Sequence, residues 1–162
     1  VLRQSDDSNT AITLTVAQSG AIMLFDEDEA YAITLPAITI GDIGVNYTFM
    51  ETIASNNDRT IDTAYDNDYY VGSLVVLPSA VWASGTAQDG LAANIVANAG
   101  SDVQITFDDD LANGAGGVGS IVKLTAVVTG NTGASGGAKL VWALTGQMFT
   151  SDPNSDGTAI FT

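Results

Sequence analysis

The sequence contains no cysteine and no histidine. Without cysteine it can form neither a disulfide nor a thiolate metal site. Without histidine it lacks the commonest general base and the Ser–His and Cys–His nucleophile pairs. An enzyme built from this chain would have to work with carboxylates, tyrosines and a few cations. We therefore expect a protein that is not an enzyme.

Positive charge is also scarce, since 4 lysines and arginines stand against 19 acidic residues and the net charge is −15 at pH 7. A surface of this kind repels the phosphate backbone of nucleic acid and anionic lipid alike. No apolar run is long enough to predict a transmembrane helix. We therefore expect no nucleic acid and no membrane among the partners, and favour apolar, cationic or cation-bridged partners.

What the chain does have is glycine and β-forming residues. Its 162 residues include 17 glycines but only 3 prolines, and 46% of them are hydrophobic, which is too many for a disordered chain. With frequent Thr, Val and Ile, this composition favours one turn-rich all-β domain. We predict a flexible or partner-docking arm over residues 1–10, a folded domain over residues 11–150 and a tail over residues 151–162.

Apolar residues alternate in many short segments, as they do in half-buried strands. Two alanine-rich segments, residues 79–83 and 91–97, are open to interpretation as short helices or irregular excursions. No internal repeat stands out. The pattern predicts a single β-sandwich or jelly-roll-like domain of about ten short strands. The predicted strands cover residues 11–16, 21–25, 31–35, 45–49, 60–64, 71–77, 103–107, 121–129 and 140–144.

Several short motifs follow one another in a recognisable order. The first motif is Thr13-Leu14-Thr15, which is followed by Ser19-Gly20. Thr34-Leu35-Pro36 then ends the predicted strand 31–35. Tyr47-Thr48-Phe49 follows a glycine turn. The chain closes on a glycine-rich hairpin that contains Trp142. This order resembles the capsid decoration (cement) proteins of tailed phages. The resemblance implies a β-rich, trimeric protein on the capsid exterior of the virion, where it stabilises contacts between major capsid proteins.

Three other functions remain open at the level of sequence. The same kind of module occurs in a trimeric head or tail fibre that binds host surface glycan, and Tyr65, Tyr69 and Tyr70 would then form a glycan patch instead of ordinary strand ends. A secreted calcium-dependent adhesion or surface-layer domain is another alternative. A glycosidase with two carboxylates is the most distant one.

Calcium is the one cofactor that the sequence suggests. Asp152, Asn154 and Asp156, followed by Gly157, match the first half of a calcium-binding loop, although its closing carboxylate would fall just beyond Thr162. The alternative is a tail with Asx turns. Three acidic loops, residues 26–29, 66–68 and 108–110, would share a cation if they met on one rim, and otherwise are solvated loops. We expect calcium to raise the melting temperature.

Three residues are candidates for binding a partner. Trp82 is a candidate interface anchor or, equally, a plug at one end of the core. Arg3 lies in the polar arm and would reach an acidic capsid surface, the alternative being an unstructured tail. Arg59 is expected to pair with local acids or with a neighbouring subunit, the alternative being an ordinary surface charge. Trp142, on a regularly alternating strand, is expected in the core.

Overall fold

Strands form most of the regular structure of this protein. A computed structural model describes residues 1–6, 11–65, 69–78, 93–97, 102–108, 115–129, 139–150 and 160–161. These residues form eleven strands in two sheets and contain no helix of seven or more residues. The expectation of a β-rich chain is confirmed.

The strands are β1 Leu2–Arg3, β2 Ala11–Thr13, β3 Ala21–Phe25, β4 Tyr31–Thr34, β5 Asn46–Glu51, β6 Arg59–Asp62, β7 Tyr70–Pro78, β8 Ala93–Ala97, β9 Gln104–Phe107, β10 Gly117–Val128 and β11 Leu140–Thr150. Three 3₁₀ helices, Gln4–Asp6, Val16–Gln18 and Ile40–Asp42, lie between them.

Most strands lie where the alternation predicts them, but β1 was not predicted, β10 begins at Gly117 in place of residue 121, and three further segments differ. β8 is a strand, because its backbone pairs with the edge of β7 and this pairing outweighs the helix propensity of alanine. β11 continues to Thr150, since it pairs with β7 along that whole length. β2 ends early because Thr15 caps a 3₁₀ helix, where its N–H and hydroxyl both donate to Gln18 Oε1 at 2.8 and 3.0 Å.

The two sheets combine parallel and antiparallel pairs. The seven-stranded sheet has the order β1-β3-β5-β10-β11-β7-β8, and the four-stranded sheet has the order β2-β4-β6-β9. The pairs β1–β3, β3–β5, β7–β11, β2–β4 and β4–β6 are parallel. A jelly roll consists of antiparallel neighbours, so the strand directions differ from that expectation.

The first six strands alternate between the two sheets and wind as a coil. Ala11, Ile12 and Thr13 of β2 pair in register with the identical residues Ala32, Ile33 and Thr34 of β4. The isoleucine ladder continues through Ile61 on β6 to Ile105 on β9. The expectation that the chain has no internal repeat was wrong: the repeat consists of stacked strands.

Aromatic side chains fill the space between the sheets. The Phe25 ring, on the seven-stranded sheet, contacts the Phe107 ring of the other sheet edge-on, with centroids 5.3 Å apart. The hydroxyl of Tyr70 donates to the Ile61 carbonyl at 2.8 Å, again from sheet to sheet. Trp142 is fully buried 5.9 Å from the Tyr47 ring, which confirms its expected place in the core.

The predicted flexible or partner-docking arm over residues 1–10 contributes a strand and a 3₁₀ helix within residues 1–6. Leu2 and Arg3 pair in parallel with Met23 and Leu24 of β3, and Leu2 packs partly buried against the core. The amide of Gln4 donates to the Glu29 carbonyl at 3.1 Å. Residues 1–6 are therefore part of the fold. Residues 7–10 lie outside the described residues, as do residues 151–159 of the predicted tail.

Candidate functional site

The chain direction sorts the loops into two groups at opposite ends of the sheets. The parallel strands β1, β3 and β5 finish at one end of the sheets, and the parallel strands β2, β4 and β6 finish at the other end. Because β9 runs antiparallel to β6, its last residue falls at the first end. We call residues 26–30, 52–58 and 108 the acidic end, and residues 39–44 the isoleucine turn.

Asp26 at the acidic end is held by the first residues of the chain. Its carboxylate accepts hydrogen bonds from the Ser5 N–H at 2.9 Å, the Ser5 hydroxyl at 2.8 Å and Arg3 Nη1 at 3.0 Å. Burial alone would raise the pKa of Asp26, but these bonds outweigh it and the pKa is lowered. The Arg3 side chain remains half exposed, so its predicted contact with a partner would compete with Asp26.

Asp28 organises the neighbouring turn in the same way. Its carboxylate accepts from the Ser55 hydroxyl at 2.6 Å, from Asn57 Nδ2 at 3.1 Å and from the Asn56 N–H at 3.3 Å. The Ser55 bond is the main reason that the pKa of Asp28 is lowered, with Asn57 and Asn56 adding to it. The acidic run is therefore a folded structure in which two carboxylates bind the protein's own donors.

Arg59 crosses the interior beneath this loop. It projects from the four-stranded sheet and forms an ion pair with Glu51 of the seven-stranded sheet, with Nη1 and Oε2 3.5 Å apart. Nη2 donates to the Glu27 carbonyl at 2.6 Å, and Nη1 donates to the Asn57 carbonyl at 3.2 Å.

Only 2% of the Arg59 side chain is exposed. The interpretation of Arg59 as a surface charge was therefore wrong, and its expected pairing with a local acid is confirmed. A side chain so deeply buried offers no surface for direct contact with a neighbouring subunit. Its role within this chain is to join the two sheets to the two loops of the acidic end.

The predicted metal ligands are only partly described. No three acidic side chains among the described residues lie close enough together to hold a metal ion. Asp152, Asn154 and Asp156 lie outside the described residues, as do residues 66–68 and 109–110 of the other two acidic loops. Calcium binding stays a prediction.

The isoleucine turn presents two large apolar side chains to solvent at the opposite end. Ile40 is 70% exposed and Ile43 is 51% exposed. In a 3₁₀ helix the side chains three residues apart project on the same side. Ile43 directly follows the 3₁₀ helix Ile40–Asp42, so the two exposed isoleucines lie on one short turn.

Hydrogen bonds make this turn rigid. The N–H and hydroxyl of Thr39 donate to Asp42 Oδ2 at 2.8 and 2.6 Å, and these bonds lower the pKa of Asp42. Gly44 adopts φ +92°, which glycine permits, and its N–H donates to the Ala126 carbonyl at 2.9 Å. The turn is therefore tied to β10, and the isoleucines are held out into water by a fixed frame.

The remaining predicted surface residues are separate from this turn. Tyr65 is exposed, Tyr69 lies under the ammonium group of Lys139 at 5.4 Å, and Tyr70 is buried. The three tyrosines therefore do not form one exposed patch. Trp82 lies outside the described residues.

The sequence reasoning missed the isoleucine turn, although a signal was present. Thr39 and Asp42 have the spacing of a capping box, with an isoleucine beside each of them. The structure adds that both isoleucines of this capped turn are exposed.

Comparison with protein-family models, with curated proteins and with solved structures finds no match for this chain. No helix of the described residues has the length and hydropathy needed to cross a membrane.

Proposed function

We propose that this chain is a structural protein of a tailed-phage virion, a capsid decoration protein on the head exterior that stabilises contacts between major capsid proteins and catalyses no reaction. The resemblance noted in the sequence supports this proposal. Several residues of the motifs behind this resemblance are buried in the core. Leu14 directly follows β2, Leu35 directly follows β4, and Tyr47 and Phe49 lie within β5.

The isoleucine turn is the structural observation that best supports a contact with a capsid lattice. A preformed apolar projection loses little conformational entropy on binding, and burying an isoleucine side chain contributes about 1.5–3 kcal/mol. The same modest contact, repeated over a symmetric shell, gains strength through avidity. A rigid turn with two exposed isoleucines therefore suits a protein that adheres to a regular lattice.

We further propose that the two sheets form a β-sandwich and that three copies associate. The Phe25–Phe107 contact, the Tyr70–Ile61 hydrogen bond and the Arg59–Glu51 ion pair all join one sheet to the other, which supports the sandwich. The trimer rests on the resemblance alone. Because each copy carries a net charge of −15, copies repel one another when counterions are few.

This repulsion predicts that low salt weakens the trimer. Static light scattering between roughly 10 and 500 mM salt is expected to show a growing share of monomer at the low end. An unchanged oligomer over that range would contradict a charge-limited trimer.

The function is tested by binding the purified protein to heads of its own phage that lack it. We expect co-sedimentation with the heads and labelling of the shell in electron micrographs. Replacing both isoleucines, Ile40→Ser and Ile43→Ser, is expected to weaken binding by at least about tenfold, since about 1.4 kcal/mol corresponds to tenfold. Val118→Ser is the matched control, because Val118 is 53% exposed on β10, outside the turn.

The possible results separate the function from the surface. No binding to heads by the unaltered protein would contradict the decoration function. Binding that survives in the double isoleucine variant would leave that function standing and remove the turn as the contact. Labelling of fibres in place of the shell would favour the fibre alternative, for which exposed Tyr65 offers one aromatic contact, and a glycan array would then test that alternative.

A further inference from the structure

The outer face of the seven-stranded sheet lacks acidic side chains in the part of the chain that the structure describes. Its seven strands contain a single acidic residue, Glu51, and that side chain is buried beside Arg59. The other described acids lie in loops and 3₁₀ helices, apart from Asp62 in the smaller sheet. A chain with a net charge of −15 thus leaves this broad face without negative charge.

Apolar side chains form a row across this face. The register places one outward-facing residue from each of five neighbouring strands side by side, and the row consists of Leu24, Met50, Ile121, Gln147 and Val75. Four of the five are apolar, and Val75 is 38% exposed. The next residues along the strands, such as Phe49 and Val122, are fully buried, so the row lies on the outer side of the sheet.

The adjacent row carries one charge, on Lys123. This row consists of Ile22, Thr48, Lys123, Thr145 and Ser73. Ile22 is 39% exposed, and Lys123 is exposed between the two threonines. Threonine hydroxyls on a facing copy can accept hydrogen bonds from its ammonium group. The face thus combines exposed apolar groups, hydroxyls and one cation, whose sign is opposite to that of the whole molecule.

The face is large enough for a stable contact. Its six strands from β3 to β8 occupy roughly 29 Å across, and their paired residues occupy roughly 17–30 Å along the strands. An area of this size is comparable with the approximately 800 Å² that each partner contributes to a standard interface. Two sheets that meet in this way pack their side chains as in a β-sandwich.

Charge limits how two copies of this chain can approach each other. A contact through the acidic end, or through the outer face of the smaller sheet with Asp62, brings carboxylates of two copies together. When the faces of the seven-stranded sheets meet, those carboxylates stay in water at the ends and on the far side. The apolar row is then the part that leaves water.

We propose that copies of this chain associate through the outer face of the seven-stranded sheet, each copy turning this face towards the others. In a closed symmetric assembly the same face of every copy is used. This inference deepens the proposed association of copies: it rests on that association and does not depend on capsid binding. It also leaves the isoleucine turn, at one end of the sheets, available for a different partner.

The test measures association by sedimentation velocity over a series of protein concentrations at constant salt. Gln147→Glu keeps the shape of an exposed side chain in the apolar row and adds one negative charge. We expect this variant to dissociate at least about tenfold more readily than the wild type, because a carboxylate without a partner would have to leave water.

Thr13→Glu is the matched control, because it adds the same charge at an exposed position of β2, in the smaller sheet. We expect it to change association by less than about twofold. Equal weakening by the two variants would mean that general repulsion is at work, and the proposed face would be refuted. Unchanged association of Gln147→Glu would refute the face and leave the association of copies standing. A wild type that stays monomeric at every concentration would overturn both.

A second measurement needs no variant. Lys123 and Lys139 are the only lysines in the sequence; Lys139 directly precedes β11 and lies over the Tyr69 ring. Amine acylation followed by mass spectrometry compares their rates in dilute monomer and in associated protein. We expect association to slow the acylation of Lys123 several-fold more than that of Lys139, because Lys123 becomes enclosed. An unchanged ratio of the two rates would overturn the proposal.

Discussion

The two ends of this molecule use polar groups for opposite purposes. At the acidic end, the carboxylates of Asp26 and Asp28 accept hydrogen bonds from donors of the same chain, and the buried side chain of Arg59 is enclosed by loop carbonyls and Glu51. At the other end, Thr39 and Asp42 bind each other and thereby hold apolar side chains in water.

This difference shows that residue type alone does not tell which end would carry the proposed contact surface. The acidic run has the most conspicuous composition, yet its carboxylates Asp26 and Asp28 accept hydrogen bonds from donors of the same chain. The isoleucine turn looks ordinary in sequence, yet Ile40 is 70% exposed and Ile43 is 51% exposed. We expect a partner-binding surface where a hydrogen-bonded turn presents apolar side chains to solvent.

The largest effect is expected from Arg59→Met, which leaves Glu51 buried without its cation. Removing one partner of a buried ion pair typically destabilises by about 3–5 kcal/mol, and urea unfolding measures this loss. The double variant Glu51→Leu with Arg59→Met is expected to recover part of the loss, because no unpaired charge remains. It does not recover all of it, since the bonds to Glu27 and Asn57 are gone. A single variant as stable as the wild type would show that the acidic end does not depend on Arg59.

A smaller loss is expected from Asp28→Ala, which removes the acceptor of three hydrogen bonds. Because the pKa of Asp28 is lowered from its ordinary value of 3.8, its stabilisation is present above that value and is lost as the pH falls through the folded value. The variant should therefore melt below the wild type at pH 7 and approach it at the most acidic pH. Asp42→Ala should behave alike, since its pKa is also lowered. A gap that stays constant down to the lowest pH would contradict this account.

Calcium is expected to raise the melting temperature by a few degrees, about 2–4 °C for each kcal/mol of stabilisation. Melts in millimolar calcium and in chelator measure this directly, with magnesium as the control ion. Loss of the gain in Asp152→Asn and Asp156→Asn would place the site in the tail, and its persistence there would point to the acidic loops. Identical melting temperatures with and without calcium would contradict the prediction that this protein binds calcium.

The smallest effect on stability is expected from Ile40→Ser with Ile43→Ser. Surface substitutions of this kind usually change the free energy of unfolding by no more than about 0.5 kcal/mol each. Urea unfolding should therefore leave the double variant close to the wild type, even where head binding is lost. A large loss of stability would mean that the isoleucines serve the fold, and the contrast between the two ends would fail.

The strands were predictable because alternation is a local property of the sequence. The 21–25 and 45–49 segments became β3 and β5 with small changes in their bounds. The repeat was also visible, as two stretches of Ala-Ile-Thr-Leu that begin at Ala11 and Ala32, but only the register shows that they stack. β8 was not predictable, because an alanine-rich segment takes the form that its neighbouring strand imposes.

The site was harder to predict than the fold. The burial of Arg59 depends on Glu51, which comes from the other sheet, and no local pattern joins the two residues. Arg59 and Phe107 lie opposite each other only because β6 and β9 are neighbours. Such pairs depend on the register of strands that are distant in sequence, and a single sequence does not specify that register.

The winding of the first six strands also bears on how the chain reaches its native state. Each turn of this coil closes on the preceding one over a short stretch of chain, whereas β7 must wait for β11 to be synthesised before Tyr70 meets Trp142. Near contacts lose less loop entropy than distant ones and form faster. We expect the N-terminal coil to act as the nucleus and the pairing of β7 with β11 to be a late step.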